Sequence, residues 1–222
     1  MEERYIIHKL HMYVPDVNCY ILACRDTRKA VVIDPGGETI RIIKTLERTD
    51  YQVVGIINTH CHYDHVASNL AIKELTGAPI MIHEAEAEAL CSPVQTLSFL
   101  FTAKPDDCGP ADILLKDGDR IPVGNMTMEV IHTPGHSAGC IMLRVDDLLF
   151  TGDTLFRCNV GRCDFPGGDL ELLRRSLIEK VMPLDVDLRI LPGHDAESVL
   201  WYEIEHNPYM DEDIDLHSIP FN

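Results

Sequence analysis

The chain has 222 residues, of which 45% are hydrophobic, so it can bury one sizeable core. Its net charge is −17, from 36 acidic and 19 basic residues. This excess argues against nucleic acid as a partner, because phosphate binding needs clustered Lys and Arg. No apolar stretch approaches the ~20 residues of a membrane span, and the 8 cysteines show no compact disulfide framework. We therefore expect a cytoplasmic protein with no membrane partner, and the sequence leaves its oligomeric state open.

The first part of the chain predicts strands and helices in alternation. Apolar runs bounded by polar turns predict strands at 5–14, 19–23, 30–33, 53–57 and 79–82. Ile40, Ile43 and Leu46 recur at helical spacing and predict a helix before the fourth strand. A second helix is predicted at 70–75, where Gly77 ends it. Strand, helix and strand in this order are typical of an α/β layered fold.

The second part repeats this pattern after an irregular segment. Residues 84–90 are good helix formers, the apolar residues of 94–101 recur at near-helical spacing, and 104–110 is rich in helix breakers. Further strands are predicted near Ile113 and at 126–131, 141–145, 148–150 and 189–194. Helices are predicted from Leu170 to Val181 and around 199–205. We find no linker and expect one domain over 1–222.

The segment Thr59-His60-Cys61-His62-Tyr63-Asp64-His65 is the main chemical signal of the sequence. It follows the predicted strand at 53–57, and alternate side chains of an extended chain point to the same side. His60 and His62 can therefore reach one metal ion, while Asp64 and His65 lie on the turn into the next helix and can reach a second. Imidazole and carboxylate ligands favour zinc, with iron or manganese as alternatives.

Three further apolar runs end in a turn that contains glycine and a residue able to bind metal. These turns are Thr133-Pro134-Gly135-His136, Thr151-Gly152-Asp153 and Pro192-Gly193-His194. Polar residues at strand ends are where layered α/β folds tend to keep their chemistry. Spacing alone leaves His136, Asp153 and His194 undecided between ligands and ordinary structural residues.

Taken in order, these residues resemble the ligand set of the metallo-β-lactamase superfamily, over nearly the whole chain. Within it, the segments 133–139, 151–156 and 161–165 look like the type II glyoxalases, which hydrolyse hydroxyacylglutathione. The resemblance implies an αββα sandwich of two pseudo-equivalent halves with a dinuclear site at one edge. It also implies that His60, His62 and His136 hold one ion, that Asp64, His65 and His194 hold the other, and that Asp153 bridges the two.

The expected activity is hydrolysis of a small acyl thioester. Two divalent ions about 3.5–4 Å apart lower the pKa of a shared water toward ~7, so hydroxide is present at neutral pH. Asp64 could also orient this nucleophile as a catalytic residue. By family analogy, Arg162 and Arg157 lie beside the metals, where they could bind a carboxylate on the acyl group or belong to the solvated surface.

Two departures from the superfamily pattern limit which activities are expected and which members of the superfamily the chain resembles. The zinc β-lactamases commonly carry Arg in place of His65 and Cys in place of Asp153, so antibiotic hydrolysis is not expected as the main activity. Type II glyoxalases also carry a C-terminal helical extension that binds glutathione, whereas 28 residues follow His194 here. The resemblance is therefore to short, single-domain relatives.

A second activity fits the same scaffold. Persulfide dioxygenases share the Thr-His-Cys-His segment but hold a single iron with the counterparts of His60, His136 and Asp153, a two-histidine, one-carboxylate set. The Asp153-Thr154-Leu155-Phe156 segment looks more like that of the hydrolases, so oxidation ranks second. A purely structural metal site is disfavoured, because structural zinc sites are closed and usually rich in cysteine.

Overall fold

The computed structural model describes residues 3–102 and 108–219. Within these ranges, 12 strands form two six-stranded sheets. Residues 104–107 of the segment rich in helix breakers lie outside the described residues. No helix within those two ranges is long and apolar enough to cross a membrane.

The first sheet has its strands in chain order, from β1 to β6. Its strands are β1 Tyr5–Tyr13, β2 Asp16–Cys24, β3 Lys29–Ile33, β4 Gln52–Ile57, β5 Ile80–His83 and β6 Ile113–Leu115. The first three strands pair antiparallel, and β3 to β6 are parallel. The crossovers contain α1 Thr39–Glu47, α2 Tyr63–Val66 and α3 Asn69–Thr76. Gly77 ends α3 in the left-handed conformation, as its position predicted.

The second sheet is ordered β12-β11-β10-β9-β8-β7. Its strands are β7 Arg120–Val123, β8 Met126–His132, β9 Ile141–Val145, β10 Leu148–Gly152, β11 Arg189–Pro192 and β12 Ser198–Val199. Strands β10 and β11 are parallel, and the other neighbours are antiparallel. Helix α4 Leu170–Ser176, which continues as a π-helical turn over Leu177–Val181, lies between β10 and β11, and α5 Leu200–His206 follows β12.

Three apolar clusters define four layers. The central cluster joins both sheets, with the Tyr20 and Phe150 rings edge to face at 5.2 Å. A second cluster packs the first sheet against α1 and α3 through Ile42 and Ile72. A third packs the second sheet against α4 and α5 through Leu173 and Leu200. This arrangement confirms the predicted αββα sandwich, whereas the single domain over 1–222 stays a prediction.

The segment between β5 and β6 differs from the helices that its composition predicted. Only short 3₁₀ turns form over Glu84–Glu86, Ala89–Cys91 and Ser98–Leu100. Helix propensity is a weak preference that tertiary contacts override. Here Glu86 is buried and accepts a hydrogen bond from the backbone N–H of Gly139, 53 residues away. Leu97 has φ 59°, a left-handed conformation that a continuous helix excludes. The helix prediction for this segment was therefore wrong.

The carboxyl ends of the parallel strands in both sheets meet at one edge of the sandwich. Backbone hydrogen bonds between the sheets fix this meeting, because Ile141 at the start of β9 donates its N–H to the Thr59 carbonyl at 2.9 Å. Asn18 of the first sheet donates to the Gly193 carbonyl at 2.7 Å. Loops that follow strands of both sheets therefore share one site.

Candidate metal centre

The first sheet contributes four of the predicted ligands through the end of β4 and the start of α2. His60 and His62 lie in the loop between β4 and α2, and His62 is the N-cap residue that directly precedes the helix. Asp64 and His65 lie in the first turn of that helix. Both His60 and His65 are fully buried. Cys61, between the two histidines, is buried and directs its thiol to the Gln95 carbonyl instead.

The second sheet contributes the other three predicted ligands. His136 lies in the loop between β8 and β9, Asp153 follows β10, and His194 follows β11. His136 and Asp153 are buried, and the His194 side chain is 23% exposed. The structure therefore brings all seven predicted residues to one place, although the two sheets supply them from distant parts of the chain.

Three imidazole nitrogens converge on one point. The Nδ1 atom of His62 lies 3.1 Å from Nε2 of His60 and 2.8 Å from Nε2 of His136. Two nitrogens bound to one tetrahedral zinc at ~2.0–2.1 Å are about 3.3 Å apart. The separations therefore suit a single ion held by these three rings, with His62 binding through the opposite nitrogen from the other two.

A second group of atoms converges beside the first. The Nε2 atoms of His65 and His194 are 3.3 Å apart, and Oδ2 of Asp64 lies 3.3 Å from His194 and 3.6 Å from His65. These separations are again those of ligands around one ion.

Asp153 lies between the two groups. Its Oδ1 is 3.3 Å from Nε2 of His65, and its Oδ2 is 3.6 Å from Nε2 of His136 and 3.3 Å from Nε2 of His194. Oδ1 is a buried acceptor without a hydrogen-bond partner. Burial of an unpaired charged oxygen is unfavourable in free energy, and a bound cation would offset this cost. A Cβ atom on Gly193 would lie 2.4 Å from this oxygen, so only glycine leaves room for the carboxylate. The site is therefore shaped around the position of Asp153.

The outer nitrogens of three of the histidines are held by hydrogen bonds. His60 Nδ1 lies 3.1 Å from the Thr59 hydroxyl, and His136 Nδ1 lies 2.6 Å from the Arg162 carbonyl. His65 Nδ1 lies 3.0 Å from Oδ2 of Asp34. An acceptor at Nδ1 places the proton there and leaves Nε2 with its lone pair directed at the metal position.

Asp34 is the residue at this site that the sequence analysis missed. It is buried after β3 and accepts hydrogen bonds from the Thr59 backbone N–H and the Thr59 hydroxyl, both at 2.7 Å, as well as from His65. One carboxylate therefore orients His65 directly and His60 through Thr59. The signal was present, because Asp34-Pro35-Gly36 repeats the pattern of an apolar run ending in a glycine-containing turn.

The two ligand groups differ in charge. Burial lowers the pKa of His62 to about 3 with a further contribution from His136, and burial with the nearby His65 lowers the pKa of His60. Burial opposes protonation of His194 as well, but Asp153 and Asp64 outweigh it and raise its pKa to about 10. His60 and His62 are thus neutral and ready to bind a cation, while the second group attracts positive charge between its carboxylates. Both properties fit divalent metal ions.

A cavity of about 330 Å³ opens over the ligands, with His62, Asp64, Asp153 and His194 in its wall. Arg162 also lines it, but its guanidinium donates two hydrogen bonds to the Asp164 carboxylate, at 2.6 and 2.7 Å. Arg157 is not among the lining residues, and its guanidinium carbon lies 5.4 Å from the centre of the Tyr202 ring. Binding of substrate by either arginine stays a prediction.

The fold and this arrangement of ligands define a class of protein. The family model of the metallo-beta-lactamase superfamily matches residues 12–194. The chain therefore belongs to the metallo-beta-lactamase superfamily, as its resemblance predicted.

Particular relatives agree with this assignment. The hydroxyacylglutathione hydrolase GloC of Haemophilus influenzae is 31% identical over 196 residues, which cover 87% of this chain and 92% of GloC. The BLEG-1 B3 metallo-beta-lactamase has a similar structure, with a TM-score of 0.87 and 32% identity over 92% of this chain and 99% of that one.

Two further solved structures are similar. TTHA1623, in a di-iron-bound form, has a TM-score of 0.80 and 28% identity over 91% of this chain and 99% of that one. ETHE1 from Myxococcus xanthus has a TM-score of 0.76 and 25% identity over 97% of this chain and 92% of that one.

Proposed function

We propose that the protein is a metal-dependent hydrolase of small acyl thioesters. The observation that carries the proposal is the convergence of two adjacent ligand groups, joined by Asp153, on the floor of one cavity. The similarity to the hydroxyacylglutathione hydrolase GloC supports thioesters as the substrate class.

In the proposed centre, each ion would be held by three side chains together with Asp153. His60, His62 and His136 would hold the first, and Asp64, His65 and His194 would hold the second. Zinc is the proposed metal because neutral imidazole and carboxylate ligands at these separations suit it. Iron is the alternative, supported by the similarity to TTHA1623 in its di-iron-bound form.

Two ions held there would supply a hydroxide nucleophile at neutral pH and would polarise the scissile carbonyl. Hydrolysis adds the oxygen of water to the acyl carbon and breaks the carbon–sulfur bond. The electron pair of that bond leaves on sulfur, which takes a proton to give the thiol. The Asp64 carboxylate lines the cavity, so it can accept a hydrogen bond from the attacking water and orient it.

Metal content tests the centre without reference to turnover. We expect about two ions per chain by elemental analysis of protein purified without added metal. His62→Ala and Asp64→Ala should each remove about one ion. Because each substitution disrupts a different ligand group, the two variants should bind their remaining ion with different affinities. Full metal retention in a His60→Ala/His136→Ala double variant would contradict the assignment.

Thiol release tests the reaction. S-lactoylglutathione and a simpler acetyl thioester should both release thiol with the metal-loaded protein, and removal of metal by a chelator should stop the release. Restoration by added zinc would separate loss of metal from loss of fold. Metal-loaded protein that hydrolyses no thioester would refute the proposal.

The second candidate is an iron-dependent dioxygenase acting on a persulfide. The observation that favours it is that His60 shares one candidate ligand group with His136 and another with Asp153, while Oδ2 of Asp153 lies 3.6 Å from Nε2 of His136. Two histidines and one carboxylate can hold an iron with open positions. The similarity to ETHE1 supports keeping this alternative. Oxygen uptake with glutathione persulfide by iron-loaded protein, together with no thiol release from thioesters, would decide for it.

A further inference from the structure

Apolar side chains form most of the cavity wall outside the candidate metal ligands. They are Leu97, Leu100, Phe101, Phe156, Val160 and Phe165. They come from two segments far apart in sequence, 97–101 and 156–165, which line the same cavity beside the ligands.

In the first wall, from segment 97–101, Leu97 is buried and the other two lining residues are exposed to solvent. Leu100 is 56% exposed and Phe101 is 48% exposed, although both are large apolar residues. The Phe101 ring stacks on Tyr63 at 5.7 Å and 28°, which places it beside a residue that directly follows His62. Large apolar side chains in the wall of a cavity suit a ligand site, because such sites are lined mainly by hydrophobic and aromatic residues.

The second wall, from segment 156–165, reaches both ligand groups. The Phe165 ring meets the His62 ring edge to face at 5.8 Å, and the Phe156 ring meets the His194 ring in the same way at 5.7 Å. A substrate group that lies along this wall is therefore within reach of either metal position.

The charged residues of the wall do not favour an anionic acyl group. Arg162 is neutralised by Asp164, and its guanidinium carbon lies 4.2 Å from the centre of the Phe165 ring. Asp195 also lines the cavity and adds negative charge. Among the described residues that line it, the ligand groups apart, no cation is left uncompensated.

We propose that the preferred substrates are thioesters whose acyl group is an unbranched apolar chain of about four to eight carbons, with that chain lying between the two walls. This inference rests on the proposed thioester hydrolysis. The cavity volume of about 330 Å³ is the volume that roughly ten molecules of liquid water occupy. This is enough room for such a chain together with the thioester group.

Kinetics on a series of thioesters tests the inference. Acetyl, butyryl, hexanoyl and octanoyl thioesters of N-acetylcysteamine keep the thiol constant and uncharged, and the lactoyl and succinyl thioesters add a hydroxyl and a carboxylate. Burial of apolar surface predicts that kcat/KM rises by about two- to fourfold for each added methylene up to the limit of the cavity. The succinyl thioester should be slower than the butyryl thioester.

Variants in one segment provide a matched control. Leu100→Ser and Phe101→Ser should flatten the dependence on chain length and leave the metal content unchanged. Phe99→Ser should keep the wild-type dependence, because Phe99 is similarly exposed, at 52%, and does not line the cavity.

The possible outcomes distinguish failure of this inference from failure of the proposed thioester hydrolysis. Three results would overturn the inference and still support thioester hydrolysis. They are a flat or falling dependence of kcat/KM on chain length, faster hydrolysis of the succinyl than of the butyryl thioester, and equal effects of all three variants. No hydrolysis of any member by metal-loaded protein would overturn both.

Discussion

Replacing Asp34 by Asn tests the hydrogen bonds that orient His65. The carboxylate accepts from three donors, two on Thr59 and one on His65. An amide of the same shape must turn its NH₂ group toward one side. If it faces His65, the imidazole proton moves from Nδ1 to Nε2, which then lacks the lone pair for a metal. If it faces the Thr59 N–H, two donors oppose each other in a buried position.

The expected size of the effect follows from this geometry. Loss of a hydrogen-bond partner that orients a metal-binding histidine costs about 10–100-fold in metal affinity, which equals roughly 1.4–2.8 kcal/mol at ~1.4 kcal/mol per tenfold. Asp34→Asn should therefore weaken binding of the ion held by His65 by that factor. The other ion should be less affected, because the Thr59 hydroxyl can still accept from His60.

Competition between metal-free protein and a fluorescent zinc chelator measures both affinities. Asp112→Asn is the matched control, because it makes the same change of charge at a carboxylate that pairs with Lys73 and binds the Ile80 N–H, outside the site. Thermal unfolding of each variant checks that the fold is intact. If Asp34→Asn binds both ions as the wild type does, or if Asp112→Asn weakens them equally, the reasoning is wrong.

Three further outcomes are expected. Asp153→Ala should lower kcat for thioester hydrolysis, measured by thiol release, by at least about 100-fold, because it removes a ligand shared by both proposed ions. A kcat within tenfold of the wild-type value would show that Asp153 is not shared in this way. Arg162→Ala should leave the ratio of the KM values for anionic and neutral thioesters unchanged, because Asp164 already neutralises the guanidinium. A selective rise for anionic thioesters would show that Arg162 binds the acyl carboxylate. Burial lowers the pKa of His83, and the stacked His132 ring at 3.9 Å lowers it further. Below the ordinary imidazole pKa of ~6.5, the unfolded chain therefore binds more protons at His83 than the folded chain does, and the free energy of unfolding falls as pH falls. Chemical denaturation of metal-loaded protein at several pH values should show a weaker dependence in His83→Asn, and an unchanged dependence would contradict this.

Local sequence patterns predicted most strands of the two sheets and four of the seven candidate ligands, and the resemblance to a family implied the other three, His136, Asp153 and His194. Four of these ligands lie within the six residues from His60 to His65, where a short pattern is enough to recognise them. Ten of the twelve strands were equally accessible, since runs such as those of β2 and β10 are buried and largely apolar. The sequence predicted no strand at β7, and it predicted a helix from 199 where β12 ends.

What the sequence did not show depends on contacts between distant residues. Asp34 followed by Pro35 and Gly36 looks like an ordinary turn, and its role is visible only once His65, 31 residues away, is found beside it. Residues 84–90 likewise favour a helix locally, but burial of Glu86 against Gly139 holds the segment in short turns. Such contacts leave no periodic signal in the sequence.

The order of the ligands along the chain has a consequence for how the protein is made. His60, His62, Asp64 and His65 leave the ribosome together, whereas His194 follows His65 only after a further 129 residues. A nascent chain therefore exposes four metal-binding side chains long before the second sheet can complete either group. In the proposed centre the second ion waits for His194, so neither ion can have its full set of ligands until strands of both sheets have been synthesised.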